Sequence, residues 1–128
     1  MGPHNMDPAF TALKLGHPVS VEASSVPMSS ETAPAGSIVR YKFGARGNMP
    51  PVDLTWYSGG IKPERPVELE EERRLGCDGI LFVGEKGKIL CGGWAGAPRI
   101  IPEAKMKSYK HPPATLSQIG RASCRERV

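Results

Sequence analysis

The chain has 128 residues, of which 39% are hydrophobic and 23% are charged, and this suits one modest soluble domain. Its formal net charge is +4, but half of that excess comes from residues 120–128, and no basic stripe with interleaved aromatic side chains precedes them. The composition therefore argues against nucleic-acid binding. No apolar run approaches the ~18 residues of a membrane span, and the N-terminus lacks the apolar core of a signal peptide, so we expect a soluble protein of undefined compartment.

The three cysteines, Cys77, Cys91 and Cys124, are an odd number and include no C-x-x-C pair. A zinc site needs four ligands at short paired spacings, and nothing in the sequence supplies them. We therefore expect free thiols and no metal site.

A short helix is predicted near the N-terminus, over residues 9–15. Asp7 can cap its first N–H groups, Pro8 loses nothing at the first helical position, and Gly16 suits its end. His4 then lies in a turn at the entrance of the helix. It can be read as an exposed or capping histidine, or as an acid/base group aimed from a helix N-terminus into a cleft.

Apolar periodicity predicts strands along most of the remaining chain. These segments cover residues 19–23, 37–43, 52–57, 80–83 and 88–91, and residues 99–102 could add a last strand. Residues 19–23 alternate between polar and apolar, so they should be half-buried. Residues 80–83 and 88–91 are apolar on both sides, so they predict a central hairpin that other elements cover on both faces.

Residues 67–75 predict a short charged helix, because the glutamates come early and the arginines late, as the helix dipole favours. We interpret these glutamates as a solvated face rather than an acidic metal site. The Gly-rich turns at 84–87 and 92–96 match neither a P-loop nor the dinucleotide fingerprint G-x-G-x-x-G, so neither turn predicts phosphate binding.

Five stretches, each modest alone, occur together in a specific order: residues 2–10 (GPHNMDPAF), 20–24 (SVEAS), 54–60 (LTWYSGG), 79–84 with 86–87 (GILFVG, KG), and 98–103 (PRIIPE). In this order they resemble the C-terminal half of the Gfo/Idh/MocA family of NAD(P)-dependent oxidoreductases, and a bacterial subgroup of that family most closely. The resemblance covers about residues 1–119.

The resemblance implies an α+β fold, with an open, largely antiparallel β-sheet and one or two short helices on one face. The implied boundaries are residues 1–18 for the end of the nucleotide domain and an inter-domain helix, 19–112 for the sheet domain of substrate binding and oligomerisation, and 113–119 for a loop. Residues 120–128 depart from the family pattern, and we expect them to be a disordered, non-native tail that resembles assembly read-through.

The resemblance also places His4 at the family's active-site histidine, in a D-x-x-x-H motif whose Asp would come just before Met1. Asp7 matches an acidic residue that often follows that histidine. The family's nucleotide fingerprint and catalytic Lys belong to an N-terminal domain that this chain lacks. We therefore expect Met1 to be an internal methionine of a truncated gene, and this chain alone to be inactive and to bind no cofactor.

In the parent enzyme, the resemblance implies hydride transfer between NAD or NADP and a hydroxyl-bearing carbon of a carbohydrate-like substrate, with His4 as the base. Arg65, Trp56 and Tyr57 are weaker candidates for substrate binding, since sheet packing for Trp56 and a solvated loop for Arg65 are the plainer interpretations. A homo-oligomer through the exposed sheet face is expected, with neither nucleic acid nor membrane as partner. The alternative function is a non-catalytic β-sheet module for binding or assembly.

Overall fold

The computed structural model describes residues 2–113. Within them lie two α-helices and six β-strands, and the predicted α+β class with antiparallel pairing is confirmed. In chain order the elements are α1 (Gly2–Ala12), β1 (Ser20–Ser25), β2 (Ser37–Phe43), β3 (Val52–Ser58), β4 (Ile80–Gly84), β5 (Gly87–Cys91), β6 (Arg99–Ile101) and α2 (Glu103–Ser108). The expected tail at 120–128, and nearly all of the expected loop at 113–119, lie outside the described residues.

The strands form two three-stranded sheets, each made of strands that follow one another along the chain. The first has the order β1-β2-β3 and the second has the order β4-β5-β6. In the first sheet, Val39 lies opposite Trp56 and Tyr41 lies opposite Leu54. Because alternate residues share a face, these four side chains lie on one face of the sheet, as the alternation in both segments predicts.

Helix α1 begins at Gly2 and runs through Asp7 and Pro8, so the predicted start at Pro8 with Asp7 as the cap was wrong. The reason is tertiary contact. Asn5 and Ala9, one turn apart on the helix, are both buried and extend the packed face upstream of the local capping signal. His4 therefore lies within the first turns of a helix, not in a loop before one.

The C-terminal half of α1 packs on the first sheet. The rings of Phe10 and Phe43 meet edge to face, with centroids 5.6 Å apart and planes at 88°, and Phe43 is only 2% exposed. Arg46 donates from Nε to the carbonyl of Leu13 (3.1 Å) and from Nη1 to that of Gly44 (2.7 Å). Its guanidinium thus satisfies a carbonyl at the end of the helix and fixes α1 to the turn after β2.

Strand β1 is exposed at all six positions, so the predicted half-buried strand was wrong. The strand forms one edge of its sheet and pairs with β2 alone. Its alternation is present in the sequence, but Val21 remains 55% exposed and Val19, just before the strand, 74% exposed. An alternating pattern predicts a two-faced strand, and it buries the apolar face only if another element covers that face.

The β4–β5 hairpin forms as predicted, but the prediction that other elements cover both of its faces was wrong. Val83 is 68% exposed and Ile89 is 40% exposed, whereas Cys91 and Ile101 of the same sheet are buried. Ile89 shares a face with Cys91, and Val83 shares a face with Ile101, so each face of this sheet is covered only in part. Helix α2 contacts β6. A sheet of three strands with one short helix is too small to enclose a strand completely.

No helix forms over residues 67–75, so that prediction was also wrong. This segment is a series of turns in the loop between β3 and β4. Its backbone carbonyls accept hydrogen bonds from one side chain, because Nη2 of Arg65 donates to Leu69 (3.0 Å), Glu70 (2.8 Å) and Arg73 (3.4 Å). These side-chain bonds take the place of the backbone bonds that a helix would have made.

Two carboxylates connect that loop to the second sheet. Oε1 of Glu70 accepts from the backbone N–H of Glu103 (2.6 Å), and Oε2 accepts from Arg99 (2.5 Å). Hydrogen bonds from its own backbone N–H and from that of Glu103 lower the pKa of Glu70 from its ordinary 4.5 to about 2. Glu68 pairs with Lys88 of β5 at 2.6 Å, and this hydrogen bond lowers the pKa of the Glu68 carboxyl.

Within residues 2–113, no helix is both long and apolar enough to cross a lipid bilayer.

Candidate functional site

The imidazole of His4 lies flat against the indole of Trp94. The ring centroids are 4.1 Å apart and the planes differ by 9°, which is a stacked arrangement. Both residues are exposed, and Trp94 keeps 65% of its surface accessible. An accessible imidazole beside an accessible aromatic face can exchange protons with a bound molecule while the indole contacts an apolar part of the same molecule.

Trp94 lies in a tight loop between β5 and β6. The loop closes on itself, because Gly92 N–H donates to the carbonyl of Gly96 (2.8 Å) and Gly96 N–H donates to that of Gly93 (3.0 Å). Trp94 has φ 60°, and Ala95 is also left-handed, with φ 53°. Left-handed conformations are costly for residues with a Cβ and persist when the surroundings impose them.

Asn5 connects this loop to α1. It is the one buried polar residue within residues 2–113, with 8% exposure. Its Oδ1 accepts a hydrogen bond from the backbone N–H of Trp94 (3.1 Å), and its Nδ2 donates to the carboxylate of Asp78. A Cβ at Gly93 would lie 2.5 Å from Oδ2 of Asp78, so the carboxylate can approach this part of the loop only because residue 93 is glycine.

Asp7 lies three positions after His4 on α1, and it is exposed. Residues three apart are neighbours on a helix surface, so Asp7 and His4 lie on the same side of α1. Asp7 is within the helix and does not cap it.

The structure brings one of the predicted substrate-binding residues to α1 and leaves two elsewhere. The indole of Trp56 reaches 4.0 Å from the position that a Cβ would take at Gly2, so it lies against the first turn of α1. Tyr57 is the next residue on β3 and therefore points to the other face of the sheet. Arg65 uses its guanidinium on the carbonyls of its own loop.

No group of three or more His, Cys, Asp or Glu side chains within the described range 2–113 is arranged to hold a metal ion. Cys77 and Cys91 are both free thiols there, and Cys124 lies outside the described residues. Cys77 is exposed and Cys91 is buried at the end of β5, where desolvation raises the pKa of the Cys91 thiol.

Sequence analysis did not identify Asn5, Asp78 or Trp94 as site residues. Asn5 is directly adjacent to His4, and Trp94 follows Gly93 in the Gly-rich turn at 92–96, so a local sequence feature marked both positions. Asp78 carried none, because its role depends on a partner 73 positions earlier in the chain.

Neither a protein-family model nor a curated protein sequence matches this chain.

Proposed function

We propose that the chain is the substrate-side part of an NAD(P)-dependent oxidoreductase that acts on a hydroxyl group of a sugar or polyol. The proposal combines the resemblance of residues 1–119 to the Gfo/Idh/MocA family with one observation of the structure. That observation is the exposed imidazole of His4, stacked on the exposed indole of Trp94.

His4 is the proton acceptor in this proposal. Oxidation of an alcohol removes a hydride from carbon and a proton from oxygen, and the proton needs a base positioned at the hydroxyl. An unprotonated imidazole nitrogen can take that proton near neutral pH. Asp7, one helical turn away and exposed, adds a negative charge close to the imidazolium that results.

Trp94 extends the site to the rest of the substrate. Sugars and cyclic polyols have apolar C–H faces, and an aromatic ring offers a flat apolar surface of similar size. The imidazole covers one face of the indole, with ring centroids 4.1 Å apart, so a substrate would contact the free face or the edge of Trp94. A hydroxyl group would reach His4 along the edge that the two rings share. Trp56, at the first turn of α1, is a second aromatic surface on the same helix.

The nicotinamide cofactor would not be held by residues 2–113. A dinucleotide site uses a glycine-rich turn between a strand and a helix, so that the pyrophosphate meets a helix N-terminus. Here the turn at 84–87 joins two strands of a hairpin, and the turn at 92–96 leads to β6. NAD or NADP would supply the hydride acceptor from another domain, and this chain would supply the base and the substrate surface.

The test starts from the DNA upstream of the Met1 codon. The proposal expects an open frame with an Asp codon immediately before Met1 and a G-x-G-x-x-G motif roughly 150 residues earlier, as a preceding dinucleotide domain requires. In the longer enzyme, His4→Ala should lower kcat by roughly 10²- to 10⁴-fold and leave the KM for the cofactor nearly unchanged. His17→Ala, at another exposed histidine, is the matched control. Near-normal turnover of the His4→Ala enzyme would refute the assignment.

A second candidate is a non-catalytic module in which the first sheet mediates assembly of identical chains. The exposed edge strand β1 favours it, because Val19 and Val21 offer apolar surface beside unpaired backbone groups. A ribosome-binding site directly upstream of Met1 would support this candidate. The oligomer of either candidate should be visible by sedimentation velocity, and a chain that stays monomeric at high concentration would exclude assembly through the sheet.

A further inference from the structure

The side chain of Asn5 joins three segments that are far apart in the sequence. Its helix α1 is the first, the segment of Asp78 before β4 is the second, and the loop of Trp94 after β5 is the third. An amide suits this place because it can donate and accept at once. Asn5 uses one end of its amide on the carboxylate and the other end on the backbone of the loop.

The bond to the loop determines where the indole points. It is made by the backbone N–H of Trp94 itself, a residue with φ 60°. Fixing the peptide group on this side of a left-handed residue fixes the direction of its Cα–Cβ bond, and hence the region that the ring can occupy. Asp78 in turn holds the Asn5 amide in the orientation that leaves Oδ1 free to accept that bond.

We infer that Asn5 and Asp78 are positioning residues, which hold the Trp94 loop against α1 and thereby keep the indole stacked on the His4 imidazole. The inference rests on the proposed function for the use of this aromatic surface, whereas the position of the ring is a property of the chain itself. Neither residue touches substrate in this arrangement; both act through Trp94.

The simpler view is that the pair only stabilises the fold. The two views differ in what happens when the pair is broken in a folded protein. A stabilising pair leaves the His4–Trp94 stack intact as long as the chain stays folded. A positioning pair releases the stack while the packing of Phe10 on Phe43, at the other end of α1, persists.

Nuclear Overhauser contacts between ring protons measure the His4–Trp94 stack and the edge-to-face pair of Phe10 and Phe43 in the same sample of the chain. We expect contacts between His4 and Trp94 and between Phe10 and Phe43 in the natural sequence. His4→Gln and Trp94→Ala assign the first set. No activity is measured, so failure of the oxidoreductase proposal would leave this result unaffected.

The decisive variants exchange the two partners. Asn5→Asp keeps an acceptor for the Trp94 N–H but sets two carboxylates against each other, and should abolish the His4–Trp94 contacts. The double variant Asn5→Asp with Asp78→Asn restores one donor and one acceptor between the residues, and should restore the contacts. Asp78→Ala removes the partner without repulsion and should also abolish them.

Three results would overturn the inference. The first is a folded Asn5→Asp or Asp78→Ala chain that keeps the His4–Trp94 contacts. The second is an exchanged pair that stays folded without regaining them. The third is joint loss of the His4–Trp94 and Phe10–Phe43 contacts in both single variants, since the pair would then support the whole fold instead of positioning one ring.

Discussion

Glu70 accepts a hydrogen bond of 2.6 Å from the backbone N–H of Glu103, the first residue of α2. One carboxylate therefore satisfies a backbone donor that the helix itself leaves unpaired, and it does so from a loop more than thirty positions away. The same carboxylate also binds Arg99, so the loop, β6 and α2 meet at a single side chain.

This relationship predicts a stability loss in acid. The pKa of Glu70 is about 2 in the folded chain, below its ordinary 4.5, so its contribution is fully present above about pH 4.5 and is lost as the pH falls toward 2. Glu70→Gln should show a smaller decrease of the thermal midpoint between about pH 5 and pH 3 than the natural chain. Glu72→Gln, at an exposed position in the same loop, is the control. An equal decrease in all three proteins would contradict the prediction.

Gly59 should not tolerate a side chain. It has φ 70°, and a Cβ would lie 1.8 Å from the carbonyl oxygen of Ala35. Gly47 is the matched control, because its φ is 54° but nothing lies within 4 Å of its Cβ position. Gly47→Ala should cost only the backbone strain of about 1–2 kcal/mol, and Gly59→Ala should lower the unfolding free energy by clearly more. Urea denaturation measures both, and equal costs would show that the loop moves aside at no cost.

The edge-to-face pair of Phe10 and Phe43 should make a measurable pairwise contribution. We expect a coupling free energy of about 0.5–1.5 kcal/mol from the cycle of Phe10→Leu, Phe43→Leu and the double variant. Leucine preserves most of the apolar volume, so the cycle isolates the aromatic geometry. Additive single effects in urea denaturation would indicate that the rings contribute through burial alone.

The chain alone should not bind nicotinamide dinucleotides. Residues 2–113 contain no glycine-rich turn between a strand and a helix, which is the turn that holds the pyrophosphate in such sites. Isothermal titration calorimetry with NAD⁺ and with NADP⁺ tests this directly. Saturable binding at micromolar concentrations of either nucleotide would refute the prediction.

Local patterns predicted the strands well. Residues 37–43 were predicted as a strand and β2 spans Ser37–Phe43, because apolar and polar side chains alternate from Val39 to Phe43. The start of α1 and the turns at 67–75 were missed for a shared reason. At α1, Asn5 binds the distant Trp94 loop, and at 67–75, Arg65 binds carbonyl groups of its own loop. In both places these side-chain contacts outweigh the local sequence pattern.

The same distinction between local patterns and distant contacts applies to the candidate site. His4 could be proposed from its short motif, and the structure gives it an exposed ring in the first turns of a helix. Its stacking partner could not be proposed, because nothing in the local sequence relates His4 to Trp94. Contacts over 73 and 89 positions depend on how both sheets are placed around α1, and periodicity within one segment carries no such information.

The bond between Asn5 and Trp94 also has a consequence for synthesis on the ribosome. These residues are 89 positions apart, so at about 5–20 residues per second Trp94 is added some 4–18 s after Asn5. Each sheet pairs only consecutive strands, so the first sheet can assemble during translation before the second has been made. The buried side of α1 stays uncovered for longer than the first sheet. In a nascent chain that ends before Gly92, the Trp94 loop that binds the Asn5 amide has not yet been made. Quality-control factors that bind unfinished chains would therefore encounter this face of the helix during that interval.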